Sequence, residues 1–466
     1  MTIINSANQL IINKKTELRM RQKHIPQISI FEIYGEHETG QQLKLMSEIL
    51  DDNSCIVDIA AKCLIDDSKK DIGRNGLAVD SIVRAALLKQ MMGLTYDELS
   101  FYLQDSISYS SFARIDGQEG LSATSLQSCI KRLDAGSWEE INRVLLLDSK
   151  IKGLEKGRMV RIDSTVTETN IHDPSDSSLI WDCVRVAVRL LNGFKQSFEP
   201  GSFHFCDRSR ATKKKAYNIA FKRKRNRVRL YEQLLKLLKE TKGYLCDALS
   251  SSSTVINATQ HVLLVAEAGG LLPLIDRVID QTERRVLHGE KVPVEDKIVS
   301  IFEPDTDIIV KGGRNTEYGH KLNITTGQSG MVLDVVIEQG NPNDAARMLP
   351  MIERQKEIYG RAPRQAAADG CYASKDNVAK AKEMGVKDIA FNKKSGLKVE
   401  DMVKSEWVYK KLTKFRAGVE GNISCLKRRF GLSRCLWKGL EGFKSYVWAS
   451  SVAYNLMQLA RMKSAP

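Results

Sequence analysis

From residue 305 to residue 395 the sequence alternates strand-like and helix-like stretches at intervals too short for an all-helical or an all-strand fold. Residues 322–326 and 331–337 read as two strands of a hairpin around the turn at 327–330. Asn343 can cap a helix that runs to Tyr359 and is closed by Gly360. Residues 364–368 form a short strand stopped by Asp369-Gly370, Ser374 can cap a helix ended by Gly385, and residues 388–391 are a last strand. One earlier stretch, 158–167, has the same character: Val160, Ile162 and Val166 alternate with polar positions. Placed in front, it gives the order β-β-β-α-β-α-β, followed by a basic helix.

That order is the ribonuclease-H-like one, so the fold class expected is α/β, a mixed sheet flanked by helices. Residues 180–300 read as mostly helical, with one stripe at Leu230, Leu234, Leu237 and Leu238 and another from Leu263 to Val278. They are therefore expected as a large helical insertion after the first strand. Residues 79–150 read as short helices. Val79, Ile82, Val83, Ala86 and Leu87 recur at helical spacing before Gly93, and Ser122 and Thr124 open another helix. Thr95 with Glu98, and Ser137 with Glu140, have capping-box spacing. The expected organisation is a basic segment at 1–75 and an all-α DNA-binding or dimerisation domain at 76–150. The catalytic core then takes 151–179 and 305–466, around a basic insertion at 180–304.

Charge narrows the choice of partner. Lys and Arg exceed Asp and Glu by 14, which favours a polyanion. From Arg208 to Arg229 there are eleven basic residues and no acid, with Tyr217 and Phe221 interleaved. Eleven like charges in 22 residues repel one another without a counter-surface, so contact with a nucleic-acid backbone is expected there. Lys213, Lys214, Lys215, Lys222, Arg223, Lys224 and Arg225 are its densest part. The longest apolar runs, such as 262–266, are far short of the roughly 20 residues a spanning helix needs. The first 30 residues have basic positions without an apolar core, unlike a secretory signal. Nine cysteines without a C-x-x-C pair read as reduced core thiols.

Three acids fall where such a fold could use them. Asp163 lies in the first strand, in Arg161-Ile162-Asp163-Ser164-Thr165, and Asp369 lies just past the fourth, in Ala368-Asp369-Gly370-Cys371-Tyr372. Arg416, Glu420 and Lys427 are 4 and 11 residues apart, so at about 100° per residue they share one helix face. Val419, Ile423, Leu426 and Phe430 form an adjacent apolar stripe able to dock on a sheet. Alone, each acid reads as a turn residue, a cap or a surface ion pair. Together, carboxylates from separate elements at one sheet end can hold two divalent cations about 3.5–4 Å apart for phosphodiester displacement.

At these residues the chain resembles the DDE transposases of bacterial insertion sequences. The resemblance covers about 158–172 and 305–450, and more weakly 76–150. It rests on Asp163-Ser164-Thr165, on Ala368 to Tyr372, and on Arg416, Glu420 and Lys427 at the spacing of the signature Y-x(2)-R-x(3)-E-x(6)-K. Asn170-Ile171-His172 with Pro174 and Asp176-Ser177, and Tyr318-Gly319-His320-Lys321, also match in kind. The signature tyrosine is absent: its position is Thr413, with Phe415 and Tyr409 as candidates for its stacking role. The resemblance implies Asp163, Asp369 and Glu420 as catalytic residues and ligands of two Mg²⁺ ions, with Mn²⁺ able to substitute. It implies cleavage at insertion-sequence ends and strand transfer into target DNA. Arg416 and Lys427 would contact DNA phosphates, with Lys311, Arg314 and Lys321 extending that surface. It also implies terminal inverted repeats and target DNA as partners, a homodimer on DNA, no membrane, and a cytoplasmic, nucleoid-associated bacterial protein. Two other classes share part of this pattern: a structure-selective nuclease of the same fold that never joins DNA, and an inactive DNA-binding remnant acting as a repressor.

Overall fold

The computed structural model describes Lys23, Tyr34 and residues 36–65, 76–115, 121–221, 224–251, 254–311, 315–392 and 396–464. Most of the basic segment expected at 1–75 lies outside the described residues up to residue 35, as do Lys222, Arg223 and Arg314. The chain divides into two compact units, residues 1–168 with 320–466, and residues 169–319.

The first unit begins with helices α1 (Glu38–Asp52), α2 (Cys55–Leu64), α3 (Val79–Met92), α4 (Tyr96–Asp105), α5 (Ile107–Ala113), α6 (Ala123–Ile130) and α7 (Ala135–Ile151). The chain enters strand β1 (Met159–Glu168) and, after the second unit, returns through β3 (Asn315–Gly327) and β4 (Val332–Ile337). Helix α12 (Met348–Tyr359), β5 (Gln365–Ala368), α13 (Lys375–Glu383), β6 (Asp388–Phe391), α14 (Val399–Met402), α15 (Glu406–Arg429) and α16 (Leu440–Ser464) follow. The second unit holds α8 (Asp176–Ser197), α9 (Ser209–Phe221), α10 (Lys224–Leu249), α11 (Ala258–Thr282) and β2 (Asp307–Lys311).

The sheet is mixed. β5 lies between β1 and β6 and is parallel to both, while β3, on the other side of β1, pairs antiparallel with β4. Each expected strand is found, and the hairpin strand at 322–326 extends back to Asn315. Its added half, residues 315–319, pairs with β2, a strand absent from the sequence reading.

Local signals account for most helix ends. Thr95 accepts from the Glu98 amide while Glu98 accepts from the Thr95 amide, a complete capping box. Gly93 and Gly360 close α3 and α12 in the left-handed conformation that costs glycine nothing. Ser137 does not cap α7. Asp134, three residues earlier, accepts the Ser137 amide instead, and its carboxylate is the stronger acceptor for a helix start. Asn343 caps a 3₁₀ turn at Asp344–Arg347, and α12 begins only at Met348, with Pro350 in its first turn.

Helices α1, α3 and α7 pack against α16, and one apolar core runs from Leu43 through the strands to Ala460. The boundary expected at residue 150 therefore falls inside one compact unit. The second unit has its own core, built from α8, α10 and α11 around Leu191, Phe194, Leu234, Leu238 and Ile275. In α11 the expected stripe is buried only from Ala268 onward; Val262 and Leu263 are exposed. No cysteine is in a disulfide, and Cys129, Cys183 and Cys435 are buried as expected, whereas Cys55, Cys206, Cys246 and Cys371 are exposed. Among the described residues no helix is long and apolar enough to cross a membrane.

Candidate active site

The register of β1 and β5 brings the two aspartates together. Ile162 pairs with Ala368, so Asp163 and Asp369 are the next positions along two adjacent parallel strands. Ala366, Ala367 and Ala368 are fully buried, and after Asp369 the chain turns through Gly370–Tyr372. Side chains two apart on a strand share a face, so Arg161 and Asp163 both point to one side of β1. That side is covered by α15, which packs across β1, β5 and β6.

Ser405 caps α15, Glu406 lies in its first turn, and Lys427, Arg428 and Arg429 lie in its last, each sign matching the helix dipole. The stripe predicted to dock is docked: Val419, Leu426 and Phe430 are buried in the core and Ile423 packs against it. Arg416 and Glu420 thereby reach the strand ends. The Arg416 guanidinium donates from Nη2 to Asp163 Oδ2 at 2.9 Å and from Nη1 to Glu420 Oε1 at 2.8 Å, and lies 3.9 Å from Asp369 Oδ1. Asp163 is 14% exposed at its side chain, Asp369 38% and Glu420 69%. Burial pushes the Asp163 carboxyl above the usual carboxylate range. Arg416 and the Ser164 amide oppose that shift, while Asp369 and Glu420 add to it.

Three acids from three elements thus converge on one cationic group. Three negative charges around a single guanidinium form an all-oxygen donor set of the kind that suits a hard divalent cation. Among the described residues no three acidic, histidine or cysteine side chains are already grouped as a metal site. The acids are gathered, and Arg416 lies among them.

A second layer holds this arrangement, and the sequence reading missed it. Arg161, 8% exposed, donates to Thr326 Oγ1 at 2.9 Å, to the Phe415 carbonyl at 2.9 Å and to Asn422 Oδ1 at 2.6 Å. Its guanidinium lies 4.7 Å from the Phe415 ring centroid. It therefore ties β1 to α15 on both sides of Glu420. Gly418 makes room for it: a Cβ there would sit 2.2 Å from Arg161 Nη1. The signals available in the sequence were an arginine on the aspartate's own strand face and a glycine inside an otherwise helical run.

Below Asp369, the buried Tyr372 hydroxyl donates to Asn323 Oδ1 at 2.7 Å. Asn323 donates to Glu338 Oε1 at 2.7 Å, and Arg347 pairs with Glu338 at 2.6 Å. Burial pushes the Tyr372 phenol well up, so it stays a donor. Tyr372→Phe leaves Asn323 with an unmet buried acceptor, and a loss of about 1–3 kcal/mol is expected in urea unfolding.

Other expected residues are placed differently. Lys321 does not extend a phosphate-facing surface. Its side chain is 7% exposed, forms an ion pair with Asp344 Oδ1 and donates a hydrogen bond to the Pro342 carbonyl, both at 2.7 Å, because β3 runs through the interior at that point. Tyr409 is buried with its hydroxyl on the Phe391 carbonyl, and Phe415 is half-buried with one ring face taken by Arg161. Lys427 is half-buried on α15. Lys213 and Lys214 are exposed on α9, Lys215 bonds Gln233 at 2.6 Å, and Lys224 and Arg225 open α10.

Residues 277–456 match the family model described as the transposase DDE domain. The match includes Asp369, Arg416, Glu420 and Lys427, and begins after Asp163. Neither curated proteins nor solved structures give a significant match.

Proposed function

From the premise that the chain carries a transposase DDE domain, we propose that it cuts DNA at the ends of a mobile element and joins those ends to target DNA. The observation that carries this reading is the convergence of Asp163, Asp369 and Glu420 on Arg416. It is supported by the ribonuclease-H-like succession of strands in which β1 and β5 end side by side.

Divalent-metal use goes with this family, and Asp163, Asp369 and Glu420 are the residues that would hold the ions, which we take to be Mg²⁺ with Mn²⁺ as a substitute. Bound there, a pair of ions would supply Lewis-acid activation of the attacking oxygen and charge neutralisation at the leaving one. The chain's own residues set up the rest. Asp163 and Asp369 are fixed by strand register, while Glu420, the most exposed of the three, is free to re-aim from its helix. Arg416 can exchange its carboxylate partners for a DNA phosphate, and Lys427, about two turns beyond Glu420 on the same helix face, would neutralise a neighbouring phosphate. Lys213 and Lys214, with the basic residues at 222–225, would hold the duplex backbone outside the site. A homodimer that holds two ends at once completes the reading.

The test uses the purified protein with DNA flanking its gene, in Mg²⁺ or in EDTA. Mg²⁺-dependent nicks at defined ends, followed by joined products with a second duplex, are expected. Cleavage without joining would favour a nuclease of the same fold. Metal-independent binding without cleavage would favour a repressor.

Arg416 also gives a prediction that needs no DNA. Removing its charge leaves the three acids without their internal cation. Arg416→Gln is therefore expected to bind Mn²⁺ about tenfold or more tightly than the wild type in calorimetric titration of the free protein. Unchanged or weaker binding would show that the guanidinium does not compete for the place between the acids.

A further inference from the structure

Helix α9 has two faces. Thr212 and Ile219 are buried and Ala216 packs against the second unit's core, spaced one turn apart along one side. Arg210, Lys213, Lys214, Tyr217 and Phe221 occupy the other side and are exposed. Tyr217 is 67% and Phe221 70% exposed, one turn apart, with ring centroids 4.7 Å from each other and planes tilted by 47°. Two large rings side by side in water are an unusual surface for a helix whose inner face already buries its apolar residues.

The surroundings say what could cover them. No acid occurs between Arg208 and Tyr231, so an anionic partner is favoured over another protein surface. An anionic partner that also offers a flat apolar face is a nucleic acid. In a duplex those base faces are covered by their neighbours, and only edges and backbone are open. The rings therefore suit unpaired bases, whose faces are free. The spacing fixes the manner of contact. A base inserted between two rings needs them about 7 Å apart, twice the ~3.4 Å step along one strand. At 4.7 Å nothing enters between Tyr217 and Phe221, and each ring offers its outer face.

We propose that α9 is a platform for unpaired DNA, on which Tyr217 and Phe221 stack against bases while Arg210, Lys213 and Lys214 hold the strand's phosphates. It rests on the reading that DNA is the substrate.

The test is fluorescence anisotropy of the full chain with a labelled 20-nucleotide oligothymidylate and with a 20-base-pair duplex, both ligands measured over the same series of salt concentrations. The double variant Tyr217→Ala/Phe221→Ala is expected to lose about tenfold or more in single-strand affinity and less than about twofold on duplex. Tyr217→Trp/Phe221→Trp is expected to retain single-strand binding, and Lys213→Gln/Lys214→Gln to weaken both ligands and flatten the salt dependence. Equal losses on both ligands, or none on single strands, would overturn the proposal. So would an alanine variant that binds single strands normally but changes mass in light scattering, since a second copy would then be what covers the rings. Oligonucleotide binding is read without cleavage, so a protein that stacks single strands but never cuts would sink the transposition reading alone. One that cuts but does not stack would sink this proposal alone.

Discussion

Asp369→Asn is expected to reduce metal-dependent cleavage by about 10³-fold or more while leaving the unfolding midpoint close to that of the wild type. The Asp369 side chain is partly exposed and stands 3.9 Å from Arg416, so the fold depends little on its charge. Its carboxylate is one of two that strand register sets side by side, and asparagine keeps the shape while removing the charge a divalent cation needs. Losing several kcal/mol of transition-state stabilisation corresponds to three or more powers of ten, at 1.36 kcal/mol each. Asp163→Asn is expected to match that loss in rate and also to release Arg416 from its 2.9 Å bond. A rate for Asp369→Asn above about a tenth of wild type would remove this residue from the chemistry.

Arg161→Met is expected to cost about 3 kcal/mol or more in stability and to abolish cleavage together with it. The substitution keeps bulk but strands three buried partners: the Thr326 hydroxyl, the Phe415 carbonyl and the Asn422 side chain. Hydrogen bonds to a charged group are worth more than neutral ones, and unmet buried acceptors add their own cost. Lysine is not expected to rescue, because one ammonium cannot reproduce the planar fork that spans two turns of α15. Gly418 supplies the control. Gly418→Ala alone should destabilise, since its Cβ meets Arg161 Nη1 at 2.2 Å, yet in the Arg161→Met background it should be tolerated. Additive losses in thermal unfolding of the double variant would mean that the two residues act separately.

The three acids were legible because each rests on a short-range rule. Period-two alternation put Asp163 on a strand, Asp369-Gly370 marked a strand's end, and 100° per residue put Arg416 and Glu420 on one face. What those rules could not supply was register. Only the pairing of Ile162 with Ala368 makes the two aspartates neighbours, and parallel pairing joins residues 206 apart. Lys321 shows the converse failure. A lysine in a basic protein reads as surface, and nothing near it in sequence announces that Asp344 closes over it. Arg161 escaped notice because its partners on α15 lie more than 250 residues away. Beside Asp163 it resembled one more polar alternate in a strand.

The packing of α16 against α1, α3 and α7 sets a schedule for synthesis. The first helices leave the ribosome with their apolar faces bare, and the helix that covers them is about 350 residues behind α3. At ~5–20 residues per second that is roughly 20 to 70 s of waiting. Asp163 waits for α15 as well, over a shorter stretch that ends at Arg429. A chain that ends before residue 420 therefore holds neither a closed core nor a complete set of acids, and one that ends between 420 and 440 holds the acids without the helix that closes the core. The burden on chaperones falls on that interval, and a frameshift before residue 440 leaves the apolar faces of α1, α3 and α7 without their covering helix.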